Sequence, residues 1–173
     1  LCALRMAVGA PPTAAQGAWG GLRFEVKGHI LTYHALRAQG QMDWMASRTE
    51  ARGEFTLRKG NASLFASLNA THNARLPELT RLALREGFLS YPSRYVDFRL
   101  GRQIIIWGVA DALRLNDAIC PFDLTEFLAQ DYDNIYTPVN ALEVKFHYGH
   151  FSLEALCIPI LSFYTIPTDP RNP

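Results

Sequence analysis

Apolar and polar residues alternate along most of this chain, and the alternation predicts seven β-strands. In the first strand, at residues 22–33, Phe24, Val26 and Ile30 alternate with charged residues. The same period of two recurs at residues 43–58, 62–71, 82–91, 95–107, 139–148 and 151–159. Successive residues of a strand point to opposite sides of a sheet, so each strand should have one apolar and one polar face.

The two faces can be assigned in most of the predicted strands. Beyond the first strand, the main apolar positions are Ala51, Gly53, Phe55 and Leu57; Ala62, Leu64, Ala66, Leu68 and Ala70; Val96, Phe98, Leu100, Ile104 and Ile106; and Leu142, Val144, Phe146 and Tyr148. The faces of residues 82–91 stay open, because Glu86 shares the register of Leu84 and Phe88. In the first strand, charged residues occupy most of the opposite positions, so that side is predicted to be in contact with water.

Short polar stretches between the strands predict hairpins. Lys59-Gly60-Asn61, Pro92-Ser93-Arg94 and Gly149-His150 have the residues of tight turns. Strands joined in this way form an all-β antiparallel meander. The strand at 43–58 is longer than the five or six residues usual in soluble sheets and suits a tilted membrane strand. A soluble β-sandwich or lipocalin-like module, which would turn its apolar faces inward, remains an alternative.

Composition excludes several classes of protein. The chain is 49% hydrophobic and has no run of eighteen apolar residues, which excludes a transmembrane helix. A net charge of +1, without a stripe of basic and aromatic residues, excludes nucleic acid as a partner. No motif of a serine hydrolase, zinc protease, phosphate-binding loop or dinucleotide site is present. We therefore expect a protein that is not an enzyme and needs no cofactor or metal.

The stretch at residues 108–138, here called the acidic segment, interrupts the strand pattern. Its acidic residues are Asp111, Asp117, Asp123, Glu126, Asp131 and Asp133, and Arg114 is its single basic residue. The Asp123-x-x-Glu126 spacing is that of a helix N-cap with its partner, and predicts a short helix over residues 124–129. Connections of this length are usually functional or partly structured.

Residues 82–160 resemble a porin-like family of Gram-negative outer-membrane β-barrels whose function is not defined. The likeness rests on a strand ending in G-R-Q-x-x-x-W-G, a P-x-D turn, and a Pro-Val pair before the next strand. The matching positions are Gly101, Arg102, Gln103, Trp107, Gly108, Pro121, Asp123, Pro138 and Val139. Cys120 departs from the Asn or Ser expected before the proline. Because members are longer, the resemblance implies the N-terminal part of a larger barrel.

A barrel of this kind would line its lumen with the polar face. The basic candidates for the pore wall are Arg23, Lys27, Arg48, Arg52, Arg58 and Arg99. The acidic segment either folds inward against them, which would create a transverse field that sorts solutes by charge, or forms a solvated loop or plug. Arg102 and Gln103 are candidates for fixing the segment by hydrogen bonds. Trp107, Tyr91, Tyr95 and Tyr148 fit an interfacial aromatic belt, with core packing as the alternative for Trp107.

The spacing of the cysteine and histidine residues indicates no clear disulfide or metal site. Cys120 and Cys157 could pair in an oxidising compartment, although two buried free thiols fit better. The Asp131–Asn134 and His147–His150 stretches lack the full ligand pattern of a calcium or transition-metal site.

Residues 1–17 are predicted to be the remnant of a signal peptide, and residues 18–173 to be the barrel domain. We expect an outer-membrane, porin-like channel for small solutes or an envelope export component. Its partners would be outer-membrane lipid and small solutes, with a homo-oligomer or a periplasmic partner as further candidates. The alternative within the membrane is a non-conducting scaffold barrel.

Overall fold

The computed structural model describes residues 2–4, 15–37, 43–106, 119–125, 132–163 and 165, and these contain nine β-strands. The strands are β1 (Cys2–Leu4), β2 (Ala15–Trp19), β3 (Leu22–Arg37), β4 (Asp43–Lys59), β5 (Ala62–Asn73), β6 (Arg81–Tyr91), β7 (Val96–Gln103), β8 (Val139–Tyr148) and β9 (Phe151–Cys157). The described residues also form two short 3-10 helices, Pro77–Leu79 and Tyr132–Ile135. Neither helix has the length and apolar character needed to cross a membrane.

All strand pairs are antiparallel, and the chain runs through the sheet in sequence order from β3 to β9. β1 and β2 both pair with the remaining side of β3, β1 near Leu36 and β2 near Leu22. The predicted all-β antiparallel meander is therefore confirmed, with a strand in each of the seven expected places. β1 and β2 are not among the predicted strands; β1 and residues 15–17 of β2 lie in the stretch predicted to be a signal-peptide remnant. Among the described strands, β9 pairs only with β8, so the sheet is open.

The strand registers divide the side chains between two faces. Pairing of β3 with β4 sets His29 opposite Arg52 and Lys27 opposite Glu54. We call this side the charged face; it holds the odd-numbered residues of β3 up to Ala35, those of β5, β7 and β8, the even-numbered residues of β4 from Ala46 onward, and the even-numbered residues of β9. The opposite side is called the apolar face, and it holds the other positions of these strands.

The charged face is covered from the middle of the sheet toward the end opposite the tight turns, whereas the apolar face is exposed. Glu50 and Glu143 on the charged face are only 3% and 4% exposed. On the apolar face, exposure reaches 44% for Phe55 and 56% for Leu100. The other large exposed side chains on this face include Phe24, Ile30, Leu57, Leu64, Leu68, Leu84, Leu89, Phe98, Leu142, Phe146 and Leu153. A sheet that packs its apolar side on a core in water shows the opposite arrangement.

A β-bulge resolves the faces of β6. Glu86 pairs with Ser67 and Leu84 pairs with Leu68, which leaves Arg85 as the additional residue between them. A shift of one residue moves every following side chain to the other face. Leu84 therefore lies on the apolar face while Glu86 lies on the charged face, although the two share one parity in the sequence.

Connections differ in length between the two ends of the sheet. Residues 20–21, 60–61, 92–95 and 149–150 connect strands at one end, which we call the tight-turn end. Gly60 and Gly149 both have a φ of 58° there, a left-handed conformation that hairpin turns require and glycine adopts without strain. At the opposite end, called the long-loop end, the connections span residues 38–42, 74–80 and 104–138.

β7 is shorter than the alternation predicts, since it ends at Gln103 rather than Trp107. The N–H of Ile104 donates to Glu86 Oε1 at 3.0 Å, and the N–H of Ile105 donates to Cys120 Sγ at 3.2 Å. Because side chains take these N–H groups, the ladder to a neighbouring strand stops. The predicted place of Ile104 on the apolar face is wrong, because it packs beside the buried Ile105. Trp107 and Gly108 lie outside the described residues.

The described parts of the acidic segment pack onto the charged face at the long-loop end. Cys120 and Tyr136 are buried against Val139 and Ala141 of β8, together with Ile105. Within the segment, Phe122 and Tyr136 form a β-bridge, and their rings meet edge to face at 5.2 Å between centroids. Most of the helix predicted at residues 124–129 lies outside the described residues.

Gly101 of the G-R-Q sequence has a φ of 134°, and a Cβ added there would lie 2.3 Å from the carbonyl oxygen of Gly87. We expect Gly101→Ala to lower the free energy of unfolding by about 1–3 kcal/mol from backbone strain, with the clash adding to it. Gly53→Ala is the matched control, because its Cβ would make an ordinary 3.5 Å contact with the Phe55 ring. Urea unfolding of the refolded chain tests this, and equal midpoints for the two variants would contradict it.

Candidate functional site on the charged face

All six basic residues predicted to line the wall lie on the charged face. Arg23 and Lys27 are on β3, Arg48, Arg52 and Arg58 on β4, and Arg99 on β7. Arg48 and Arg52 are buried, whereas Arg23 and Arg58 are exposed near the tight-turn end. The alternation therefore places them on one surface, but their environments differ along the strands.

Glu50 is the centre of a buried polar cluster on this face. Its carboxylate accepts hydrogen bonds from Arg48 Nη2 at 2.8 Å and from Arg52 Nη2 at 3.3 Å. Asn69 of β5 donates to Glu50 Oε1 at 3.1 Å, and Asn134 of the acidic segment donates 2.8 Å bonds to both carboxylate oxygens. Arg52 also donates to the Asn134 side-chain oxygen and, at 2.9 Å, to Asn69 Oδ1. We name these five residues the Glu50 cluster.

Burial makes the Glu50 cluster depend on all of its members. A carboxylate removed from water loses several kcal/mol of hydration, which ion pairing and hydrogen bonds must offset. Here Glu50 has two guanidinium partners and two amide partners. Because Asn134 supplies two of these bonds from 84 residues away in the chain, the cluster also holds the acidic segment over β4.

A second row of charges crosses β7, β8 and β9. Glu143 lies 3.5 Å from Arg99 and 2.9 Å from Lys145, and Lys145 lies 3.6 Å from Glu154. Arg99 lies directly opposite Glu143 and Lys145 directly opposite Glu154, where unlike charges stabilise strand pairing, while Glu143 and Lys145 are two residues apart on β8. Nearer the tight-turn end, His147 Nε2 lies 3.1 Å from Asp97 Oδ2. The charged face is thus a surface of alternating, paired charges.

The acidic segment meets the wall through Asp123 and Asn134. Asp123 Oδ2 lies 3.8 Å from Arg81, a basic residue absent from the predicted set, and Asp123 Oδ1 accepts the N–H of Thr125 at 3.0 Å. The contacts described for Arg48 and Arg52 are with Glu50 of the wall and, for Arg52, also with the amides of Asn69 and Asn134. The predicted candidates Asp111, Asp117, Glu126 and Asp131 lie outside the described residues. Asp133 is within the 3-10 helix Tyr132–Ile135.

The motif residues take structural positions near the long-loop end. Arg102 Nε donates to the carbonyl oxygen of Leu84 at 3.2 Å, and buried Gln103 donates to the carbonyl oxygen of Ala141 at 3.2 Å. Both bonds therefore reach strand backbone, whereas the sequence suggested bonds to the acidic segment. Pro121 and Pro138 are buried on either side of the Phe122–Tyr136 bridge.

The apolar face has a polar border at one end and an aromatic border at the other. At the long-loop end, Thr32 and Thr49 share a hydrogen bond of 3.0 Å, and His34 and Ser47 share one of 3.1 Å. At the tight-turn end, exposed aromatic side chains flank the turns on this face. They are Trp19, Tyr91, Tyr148 and Phe151.

The thiols differ in environment. Cys120 is buried, whereas Cys157 is exposed on the apolar face. Both thiols were expected to be buried, and for Cys157 this expectation is wrong. In the part of the chain that the structure describes, no three His, Cys, Asp or Glu residues are grouped in a way that could hold a metal ion.

Sequence reasoning missed the central members of this site. Glu50 falls on the polar side of the alternation in its strand, but nothing in the alternation marks it as buried. Asn69, Arg81 and Asn134 are ordinary polar residues in the sequence, and only the strand registers and the return of the acidic segment bring them together. The one available signal was polar character on consecutive strands at the same distance from the turn.

Comparison with known proteins found no family model, no curated protein and no solved structure that matches this chain. The resemblance to outer-membrane barrels therefore remains a prediction.

Proposed function

We propose that this chain forms the wall of an outer-membrane β-barrel that acts as a porin-like channel for small solutes. The observation that carries the proposal is the reversed polarity of the sheet: paired charged side chains such as Glu50, Arg52 and Glu143 are buried, while large apolar side chains are exposed on the opposite face. Lipid is the surrounding that makes such an exposed surface favourable, because burying apolar area there recovers about 25 cal/mol per Å². In water the same apolar surface would stay solvated, and this gain in free energy would be lost.

The dimensions of the apolar face support the same proposal. On β5, its apolar positions run from Ala62 to Ala70, and His72 follows them. On β3 they run from Leu22 to Ile30 and Thr32 follows. Nine residues fit the roughly 9–11 residues with which a tilted strand crosses a bilayer.

Two further features agree with a membrane barrel. The aromatic side chains at the tight-turn end, such as Trp19 and Tyr148, occupy the level at which rings meet lipid headgroups. Short turns at one end and longer connections at the other are the usual asymmetry of bacterial outer-membrane barrels.

The filter in this proposal is the charged face together with the acidic segment. Asn134 attaches the segment to Glu50, so the passage is narrowed where the segment crosses β4. Solutes would pass between paired wall charges and the segment, which selects by size and by charge.

A second candidate is a non-conducting scaffold barrel. It is favoured by the small apolar core that Cys120 and Tyr136 build over β8, because a segment fixed in this way can also close a lumen. Conductance decides between the two candidates.

The decisive experiment is membrane fractionation of the full-length product, followed by gel electrophoresis with and without boiling. We expect a heat-modifiable, faster-migrating band in the outer-membrane fraction. The purified protein should then give ion conductance in planar bilayers. A heat-modifiable barrel without conductance would establish the scaffold, and a soluble product with unchanged mobility would overturn both candidates.

A further inference from the structure

A cavity of about 240 Å³ lies between the charged face and the acidic segment at the long-loop end. Arg48, Thr71 and Arg81 contribute to its wall side, and Asp123 and Tyr136 contribute to its segment side. The sheet and the segment therefore do not close completely over one another.

Positive charge dominates the lining of this cavity. Among the described residues of the lining are four arginines, Arg48, Arg81, Arg85 and Arg102, and one carboxylate, that of Asp123. Arg48 and Arg85 are bonded to Glu50 and Glu86, acids that lie outside the lining. Arg81 is mostly exposed, and its 3.8 Å contact with Asp123 is long for an ion pair.

We propose that this arginine cavity binds a small oxyanion such as phosphate, sulfate or a carboxylate. Guanidinium groups present planar forks of N–H donors that match two oxygens of such an anion. Arg81 supplies the accessible fork, the Thr71 hydroxyl and the other arginines supply further donors and charge, and Asp123 weakens the binding by repulsion. The role of the site as a selective point on a solute path rests on the proposed channel, whereas binding itself does not.

Binding is tested by isothermal titration calorimetry, in which inorganic phosphate is added to the full-length protein in uncharged detergent at pH 7. We expect saturable binding that Arg81→Gln weakens about tenfold or more, because a hydrogen bond to a charged group is lost. The affinity of Arg81→Lys should lie between those of the unsubstituted protein and of Arg81→Gln, since lysine keeps the charge but lacks the planar fork of N–H donors. Asp123→Asn should tighten binding. Arg58→Gln is the control, because Arg58 lies on the same face outside this cavity and should leave binding unchanged.

A second titration with dihexanoyl phosphatidic acid distinguishes a free anion from a lipid headgroup. Binding of inorganic phosphate that depends on Arg81 supports a site for free oxyanions. Binding of the lipid alone assigns the same chemistry to a headgroup. Absence of saturable binding by either, or an equal loss in Arg58→Gln and Arg81→Gln, overturns the site. These titrations need no bilayer current, so their result is independent of whether the protein conducts ions. A protein that conducts ions but binds neither probe would refute the oxyanion site and leave the proposed channel standing.

Discussion

Glu50→Ala is expected to lower the free energy of unfolding by about 3–5 kcal/mol, the usual cost of removing one member of a buried ion pair. The substitution leaves Arg48 and Arg52 facing each other in a covered site without the carboxylate that both bind. It also removes the acceptor of both Asn134 bonds, so the acidic segment loses its attachment to β4. Urea unfolding of the refolded chain measures the first effect.

Glu54→Ala provides the control, because Glu54 is the next acidic residue on the same face of β4 and is only half-buried. Its replacement should cost less than about 1 kcal/mol. Glu50→Gln should have an intermediate effect, since it keeps the side-chain volume and one acceptor oxygen but not the charge. Equal losses for Glu50→Ala and Glu54→Ala would show that the Glu50 cluster does not stabilise the protein.

Phe55→Arg is expected to cost about 2–4 kcal/mol in a lipid bilayer, as charged substitutions do at the midplane of a membrane barrel. Phe55 lies halfway along the apolar face, in register with Val26 and Ala66. The same substitution at a 44% exposed position of a water-soluble sheet would change stability little, because an exposed arginine stays hydrated. The sign and size of this effect therefore report which solvent the apolar face meets.

Thr56→Arg is the matched control for Phe55→Arg. Thr56 is the adjacent residue on β4 and lies on the charged face opposite Glu25, so an arginine there gains an acidic neighbour. Folding into liposomes of both variants, followed by denaturant titration, should show a large loss for Phe55→Arg alone. A Phe55→Arg protein that is as stable as Thr56→Arg would exclude contact of this face with lipid.

Alternation in the sequence was sufficient to predict the faces of most strands. The placement of Arg52 with Arg58, and of Phe55 with Leu57, follows from the period of two in a regular strand. The prediction failed where the backbone leaves that period. At β6 the extra residue Arg85 exchanges the faces, and after Gln103 the backbone N–H groups bind side chains instead of a strand.

The candidate site depended on contacts between residues far apart in the sequence. Glu50 and Asn134 are separated by 84 positions, and the cavity near Arg81 exists only because the segment containing Asp123 returns over β6. No local preference encodes such an approach, since the free energy that holds it comes from packing of Cys120 and Tyr136 on β8 and from bonds in the Glu50 cluster.

The sequence by itself therefore determined the class of fold, the hairpin connections and the separation of apolar from charged residues, because these follow from local backbone geometry. The tertiary structure decided which face is covered, where the bulge lies and which polar groups meet. Those features arise from strand register and from the acidic segment packing onto the charged face, and both depend on the whole chain at once.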